Sequence, residues 1–275
     1  MEFRTIVDVP DPGFRIGPCE QMLFVGSCFA DAIGRRFQEE KFRAVVNPFG
    51  VMYNPASILH TIEKLSPNHY SLISTAFLTL GTNHVYRLKE TGEIVDNCQK
   101  RPQSLFTEEE LTVDACADYL SQCVDRLHQM NPAMRIVFTV SPIRYRKYGY
   151  HGSQLSKATL LLAVHKVISH LSPLTSHLLN YFPAYEIVND ELRDYRFYQE
   201  DMLHPSPQAV EYIWQRLSET YLSDEARAFI EAWRPLKAAL NHRPFDPDSE
   251  EYRAFMDKTM LKVAELQKKY PTFAL

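Results

Sequence analysis

The stretch QMLFVGSCFADAIG (21–34) decides how this chain is read. Met22–Val25 is an apolar run of strand length, and Gly26 ends it. Phe29, Ile33 and Phe37 then recur at i, i+4 and i+8, one face of a helix. A strand that turns through a glycine straight into a helix is the opening of a βαβ unit. Ser27 and Cys28, both able to act as nucleophiles, stand side by side on the turn.

The same rhythm continues outward from this stretch. AVVNP (44–48), LISTAFLTLGT (72–82), RIVFTV (135–140) and YFPAYEIV (181–188) read as further strands, the last against the breaker Pro183. Cys116, Leu120, Cys123 and Leu127 line one face of a helix ending near Asn131-Pro132, and residues 156–171 read as another helix. VYRLKETGEIVDN (85–97) reads as a hairpin turning at Thr91-Gly92, and Thr107 with Glu110 as a capping box. Ser206 with Pro207 behind it starts a late helix as cap and first residue. Strands alternating with helices predict a mainly parallel sheet covered on both faces, a three-layer α/β/α sandwich. This domain is expected to occupy residues 1–222. Residues 223–275 depart from the rhythm and read as a helical extension, two helices split by NHRPFDPDS (241–249). Met256, Met260 and Val263 share a face of the second helix, expected to pack on the core, with a dimer contact as the alternative.

Composition narrows the function classes. The 275 residues are 45% hydrophobic and 23% charged, with a net charge of −4, so no basic surface calls for nucleic acid. The N-terminus lacks the apolar core of a secretory signal, and no run has the length of a membrane span, so a cytoplasmic protein is expected. The five cysteines include no C-x-x-C pair, which disfavours a disulfide framework and a structural zinc. No metal or cofactor is expected, and a metal-dependent phosphohydrolase is a distant alternative because no ligand cluster stands at metal spacing.

In an open α/β sheet the ligand sits beyond the carboxyl ends of the strands. The residues there are Gly26-Ser27-Cys28, Asn47–Gly50, Gly81–His84 and Ser141-Pro142, a set rich in the small and amide groups that bind an oxyanion. Asp-x-x-His occurs at Asp125–His128, inside an amphipathic helix, and at Asp201–His204, in a loop before the last helix of the domain. The second pair is placed to orient an imidazole toward the first strand's tip. SPIRYRKYGYHG (141–152) interleaves bases with aromatics and is read either as a solvated loop or as contacts to an anionic or sugar group.

GSCFA (26–30), VNPFGVMYNPASI (46–58), TVSPIRY (139–145), SKATLLLAV (156–164), YFPAYEIVNDELRDYRFYQEDMLHPS (181–206) and AVEYIW (209–214) resemble the blocks of the GSCFA-domain family. NCQK (97–100) departs from that pattern, with Gln99 where a His is expected. The family is similar to the SGNH, or GDSL-like, hydrolases, which implies a flavodoxin-like fold and hydrolysis or transfer of acyl groups. The resemblance implies Asp201 and His204 as the orienting acid and the base, Gly50 as one oxyanion donor, and Gly81 and Asn83 as a Gly-x-Asn pair, with Asn47 as a rival amide. Aligning Gly26 with the glycine of Gly-Asp-Ser puts Cys28 at the nucleophile position, whereas Ser27 requires a slip of one residue. The expected partner is a small-molecule or carbohydrate acyl ester, with an acyl-CoA donor and an oligomer left open. The alternative function is a non-catalytic ligand-binding module on the same scaffold.

Overall fold

The computed structural model describes residues 4–66, 70–96, 98, 100–170, 178–273 and 275. Five parallel strands form the main sheet: β1 (Gln21–Gly26), β2 (Arg43–Val46), β3 (Thr75–Leu80), β7 (Arg135–Val140) and β8 (Leu179–Tyr181), in the order β2-β1-β3-β7-β8. Counted along the sheet strands alone this is 2-1-3-4-5, the flavodoxin-like order that the family resemblance implies. Its switch point lies between β1 and β3, where the connections depart to opposite sides.

Alternation along each strand builds two cores. Met22 and Phe24 of β1, Phe77 of β3 and Val137 of β7 face one layer, with Phe29, Ile33 and Phe37 of α1 (Cys28–Glu39) and Ile213, Trp214 and Leu217 of α5 (Pro207–Tyr221). Leu23, Val25, Leu78, Ile136 and Phe138 face the other, against α2 (Pro55–Glu63), α3 (Val113–Met130) and α4 (Gly149–His170). Phe24 stacks on Phe77 with ring centroids 4.9 Å apart, and Phe37 meets Trp214 edge-on at 4.7 Å. Each such aromatic contributes about 1.5–3 kcal/mol by burial alone. A small antiparallel sheet, β5-β4-β6, made by β4 (His84–Leu88), β5 (Ile94–Val95) and β6 (Phe106–Glu110), stands beyond the tip of β3.

Three local expectations change. Residues 106–110 are strand β6, not a capping box, and α3 is capped by Thr112, whose side chain accepts from the Ala115 N–H. Helix α4 starts at Gly149, seven residues before Ser156, because the turn at Gly149 (φ 68°) already aims the chain along the helix. The fifth strand is confined to Leu179–Tyr181, since past Pro183 the chain coils into a helical turn at Ala184–Glu186 and a wider one at Ile187–Leu192. Gln99 lies outside the described residues.

Helices α6 (Asp224–Leu240) and α7 (Glu250–Lys269) close the chain. The indole N–H of Trp233 donates to the Glu39 carbonyl at 2.9 Å, and Lys237 pairs with Glu39 and Glu40, so α6 is fastened to the end of α1. Phe229 in turn packs on Tyr270 and Phe273. The buried face of α7 is Thr259, Val263 and Leu266, and Met260 is exposed, which corrects the expected Met256–Met260–Val263 stripe. Among the described residues no helix is long and apolar enough to cross a membrane.

Candidate active site

The turn after β1 is tightly specified. Gly26 has φ 144°, and a side-chain carbon there would come within 2.1 Å of the Thr79 carbonyl oxygen, so only glycine fits. Its N–H donates to Asn47 Oδ1 at 2.8 Å, and Asn47 Nδ2 donates to Asp31 Oδ1 at 2.6 Å. The Asn47 amide is therefore a strut that ties the turn to helix α1.

This geometry separates the two neighbouring nucleophile candidates. Ser27 is fully buried, and its hydroxyl accepts from the Phe29 N–H at 3.3 Å as the cap of α1. Cys28 opens the helix and is partly exposed, with Sγ 3.7 Å from the Tyr53 hydroxyl. As the first N–H of the helix, the Cys28 amide has no hydrogen-bond partner among the described residues.

The other expected oxyanion donors are committed within the protein. The Gly50 N–H donates to the Asn47 carbonyl at 2.9 Å, closing a turn that Gly50 makes with φ 97°. The Gly81 N–H donates to the Tyr53 carbonyl at 2.8 Å. The Asn83 N–H donates to Ser156 Oγ at 3.0 Å and its side-chain amide to the Leu111 carbonyl at 2.8 Å. Gly26, Ser27, Cys28, Asn47 and Gly81 do come together at the strand tips, while Asn83 is drawn aside to Leu111, between β6 and α3, and to Ser156 of α4.

Helix α4 organises this end of the sheet. Ser153 accepts from the Tyr145 N–H, Ser156 holds Thr82 and Asn83, and Lys157 donates to the Gly81 carbonyl at 2.6 Å. Lys157 is buried, its ammonium 5.2 Å from the centre of the Tyr145 ring, and burial pulls its pKa down to about 7. Gly81 leaves room for Tyr145, since a side-chain carbon on it would sit 2.6 Å from the Tyr145 hydroxyl and 3.4 Å from Ser27 Cβ. The reading of the sequence missed Tyr53, Tyr145 and Lys157. Each lies in a quoted block, and a lysine in helical phase with Leu160 and Val164 was a signal available to it.

Beside these residues opens a cavity of 380 Å³ lined chiefly by Tyr53, His84, Tyr86, Tyr145 and Tyr148. His84 stacks on Tyr148 with ring centroids 3.5 Å apart, and burial lowers its pKa. Two basic residues of the 141–152 loop are engaged by the protein. Arg144 lies over Tyr150 and Tyr198, and Lys147 pairs with Glu108 and Tyr86.

Asp201 and His204 form a bonded pair. Asp201 Oδ1 accepts from the N–H groups of Leu203 (2.8 Å) and His204 (3.0 Å), and Oδ2 lies 2.6 Å from His204 Nδ1. The His204 N–H, then that of Leu203, then the imidazole hold the Asp201 carboxyl at about 2. Arg144 fastens this loop to the end of β7, its N–H donating to the Leu203 carbonyl and its guanidinium to that of Met202, both at 3.1 Å. Among the described residues His204 makes no hydrogen bond to Ser27 or Cys28. The other pair is not formed: His128 bonds the Met134 carbonyl instead.

Residues 21–72 and 66–217 match the GSCFA family. The chain belongs to the GSCFA family. The pentad that gives the family its name (26–30) is the β1–α1 turn itself. Residues 233–275 match the C-terminal domain of GSCFA domain proteins, a stretch that here takes in the latter part of α6 and all of α7. No functionally curated protein matches this GSCFA chain. Solved structures with a similar trace include a Streptococcus pneumonia protein described as a candidate platelet activating factor. It is 14% identical, with 74% of this chain and 84% of that one covered and a TM-score of 0.47. Family 3 carbohydrate esterases from Talaromyces cellulolyticus (10% identical, 77% and 98% covered, TM-score 0.45) and Clostridium thermocellum (14%, 77% and 99%, 0.43) are also similar. At such TM-scores the likenesses are loose, and the fold assignment rests on the strand order of the chain itself.

Proposed function

We propose that this GSCFA protein is an acyl-handling enzyme, an esterase or acyltransferase acting on a small-molecule or carbohydrate ester, with Cys28 as nucleophile. The observation that carries the reading is the division of labour at the β1–α1 turn: Ser27 is buried as the helix cap, and Cys28 presents an accessible sulfur at the helix N-terminus. The bonded Asp201–His204 pair on the loop fastened to β7 supports a general base with an oriented imidazole. His204 takes the Cys28 thiol proton as the sulfur attacks the acyl carbon and returns that proton to the departing alkoxide, and water or a second acceptor then cleaves the thioester. An acyl-CoA donor would enter by the same thioester chemistry. Residues 1–222 carry this site, and residues 223–275 act as a helical brace on α1.

A screen with short-chain p-nitrophenyl esters and acetyl-CoA tests the reading, together with mass detection of an acyl adduct on Cys28. Turnover that survives Cys28→Ala intact would refute the nucleophile, and no burst with any donor would refute the enzyme. The second reading, a binding module, is favoured by one observation: His204 bonds neither candidate nucleophile. Unchanged ligand binding by Cys28→Ala, with no turnover by the wild type, would support it.

A further inference from the structure

The amides that a hydrolase analogy would aim at an oxyanion are spent in this protein. Asn47 holds Gly26 and Asp31, Asn83 holds Leu111, and the N–H groups of Gly50 and Gly81 close on carbonyls. Two phenols stand in the space those donors leave. The Tyr145 hydroxyl is buried and has no hydrogen-bond partner among the described residues. It lies over Gly81, just past the tip of β3, on the side of that glycine that Ser27 also faces. The Tyr53 hydroxyl is 3.7 Å from Cys28 Sγ, and the two rings meet edge to face at 6.1 Å.

We propose that the Tyr145 and Tyr53 hydroxyls, with the free Cys28 N–H, are the oxyanion donors of this site. The proposal rests on Cys28 being the nucleophile. As sulfur attacks, the C–S bond forms and the carbonyl π pair moves onto oxygen. That oxygen accepts from the three donors. Collapse restores the carbonyl, breaks the C–O bond and sends the leaving alkoxide to the His204 proton. A phenol 3.7 Å from sulfur can sit about 2.7–3.1 Å from an oxygen carried on the attacked carbon, the distance such a donor needs.

A buried hydroxyl without a partner is otherwise a cost to the fold, and a developing charge is the partner that makes sense of it. Burial pushes the Tyr53 phenol up to about 12 and Tyr145 higher still, so both keep the proton they must donate. Gly81 completes the arrangement, because any side chain there would displace the Tyr145 hydroxyl. Lys157 acts as a positioning residue by holding the Gly81 carbonyl from behind.

Tyr145→Phe and Tyr53→Phe, compared with wild type and Cys28→Ala on p-nitrophenyl acetate and butyrate, test this. Tyr145→Phe is expected to lower kcat about 100- to 1000-fold with KM within about two-fold. Its Tm should be unchanged or raised, and its rate of iodoacetamide labelling at Cys28 preserved. Tyr53→Phe should lower kcat at least about ten-fold. A Tyr145→Phe enzyme with kcat within about two-fold of wild type overturns the proposal, as does one that loses Tm or fails to fold, which would mark a structural hydroxyl. Absence of turnover by the wild type, or full activity in Cys28→Ala, would remove the nucleophile reading itself and this proposal with it.

Discussion

Replacing Lys157 with Met should make the protein more stable at low pH and less active. The lysine is buried, and burial lowers its pKa from 10.5 to about 7. Between those values the unfolded chain holds a proton that the folded chain has released, so stability rises with pH across that window and is lowest below about pH 7. At about 1.4 kcal/mol per pH unit, the gap from 10.5 to about 7 sets an upper bound of about 5 kcal/mol on the cost of folding around the ammonium. The Gly81 carbonyl and the Tyr145 ring both favour the charged form and keep the true cost below that bound. Met fills the same unbranched space without a charge, but leaves the Gly81 carbonyl unpaired at a cost of about 1–3 kcal/mol.

The variant should therefore gain about 1–3 kcal/mol at pH 6, a Tm increase of several degrees for a chain of this size. The gain should shrink with rising pH and reverse between about pH 8.4 and about pH 9.8, where the remaining cost of the ammonium equals that of the lost hydrogen bond. Urea titrations of both proteins at pH 6, 7.5 and 9 measure the gap, and its pH dependence cancels every group the two share. A gap that stays flat with pH would show that Lys157 keeps its proton throughout, and would refute the reasoning from burial. Activity should fall as stability rises, because the Gly81 carbonyl then loses the bond that ties it to α4 beside Tyr145.

Four further outcomes follow from the site. Gly26→Ala forces a side-chain carbon onto the Thr79 carbonyl, so loss of soluble expression, or more than about 3 kcal/mol of stability by denaturant titration, is expected. Ser27→Ala removes the α1 cap and should cost about 1 kcal/mol while leaving iodoacetamide labelling of Cys28 intact. Asp201 is held at about 2, so its pairing with His204 is complete above the ordinary carboxylate value of 3.8 and is lost only as pH falls through about 2. The kcat/KM profile should therefore show no acid limb from Asp201 across the working range of an ester assay. Asp201→Asn should lower kcat by up to about 10⁴-fold without unfolding the protein, as read by circular dichroism.

What the sequence disclosed and what it hid have different physical causes. Strands β1, β3 and β7 are buried on both faces, so each is a continuous apolar run that shows without any partner in view. The β1–α1 turn was equally legible, because glycine, cap and helix stripe are all local. The start of α4 was hidden by Gly149 and Gly152, which read as loop but here only let the chain turn into the helix. Thr107 and Glu110 carried the spacing of a cap, yet pairing with β4 took those residues into a strand.

The commitment of the strand-tip amides was hidden for a related reason. Asn47 and Asn83 lie at strand tips as donors should, but an amide's usefulness depends on what else competes for it. Asp31, the Gly26 N–H and the Leu111 carbonyl take those amides first. Tyr53 and Tyr145 gave no spacing signal, since their meeting with Cys28 and Gly81 depends on segments far apart in the chain. Lys157 is the instructive case. It shares the buried stripe of α4 with Leu160 and Val164, and a lysine on a buried stripe is costly unless something inside receives it. That cost was visible in the sequence. Its recipient, the Gly81 carbonyl, was not, and the recipient is what ties the helix to the site.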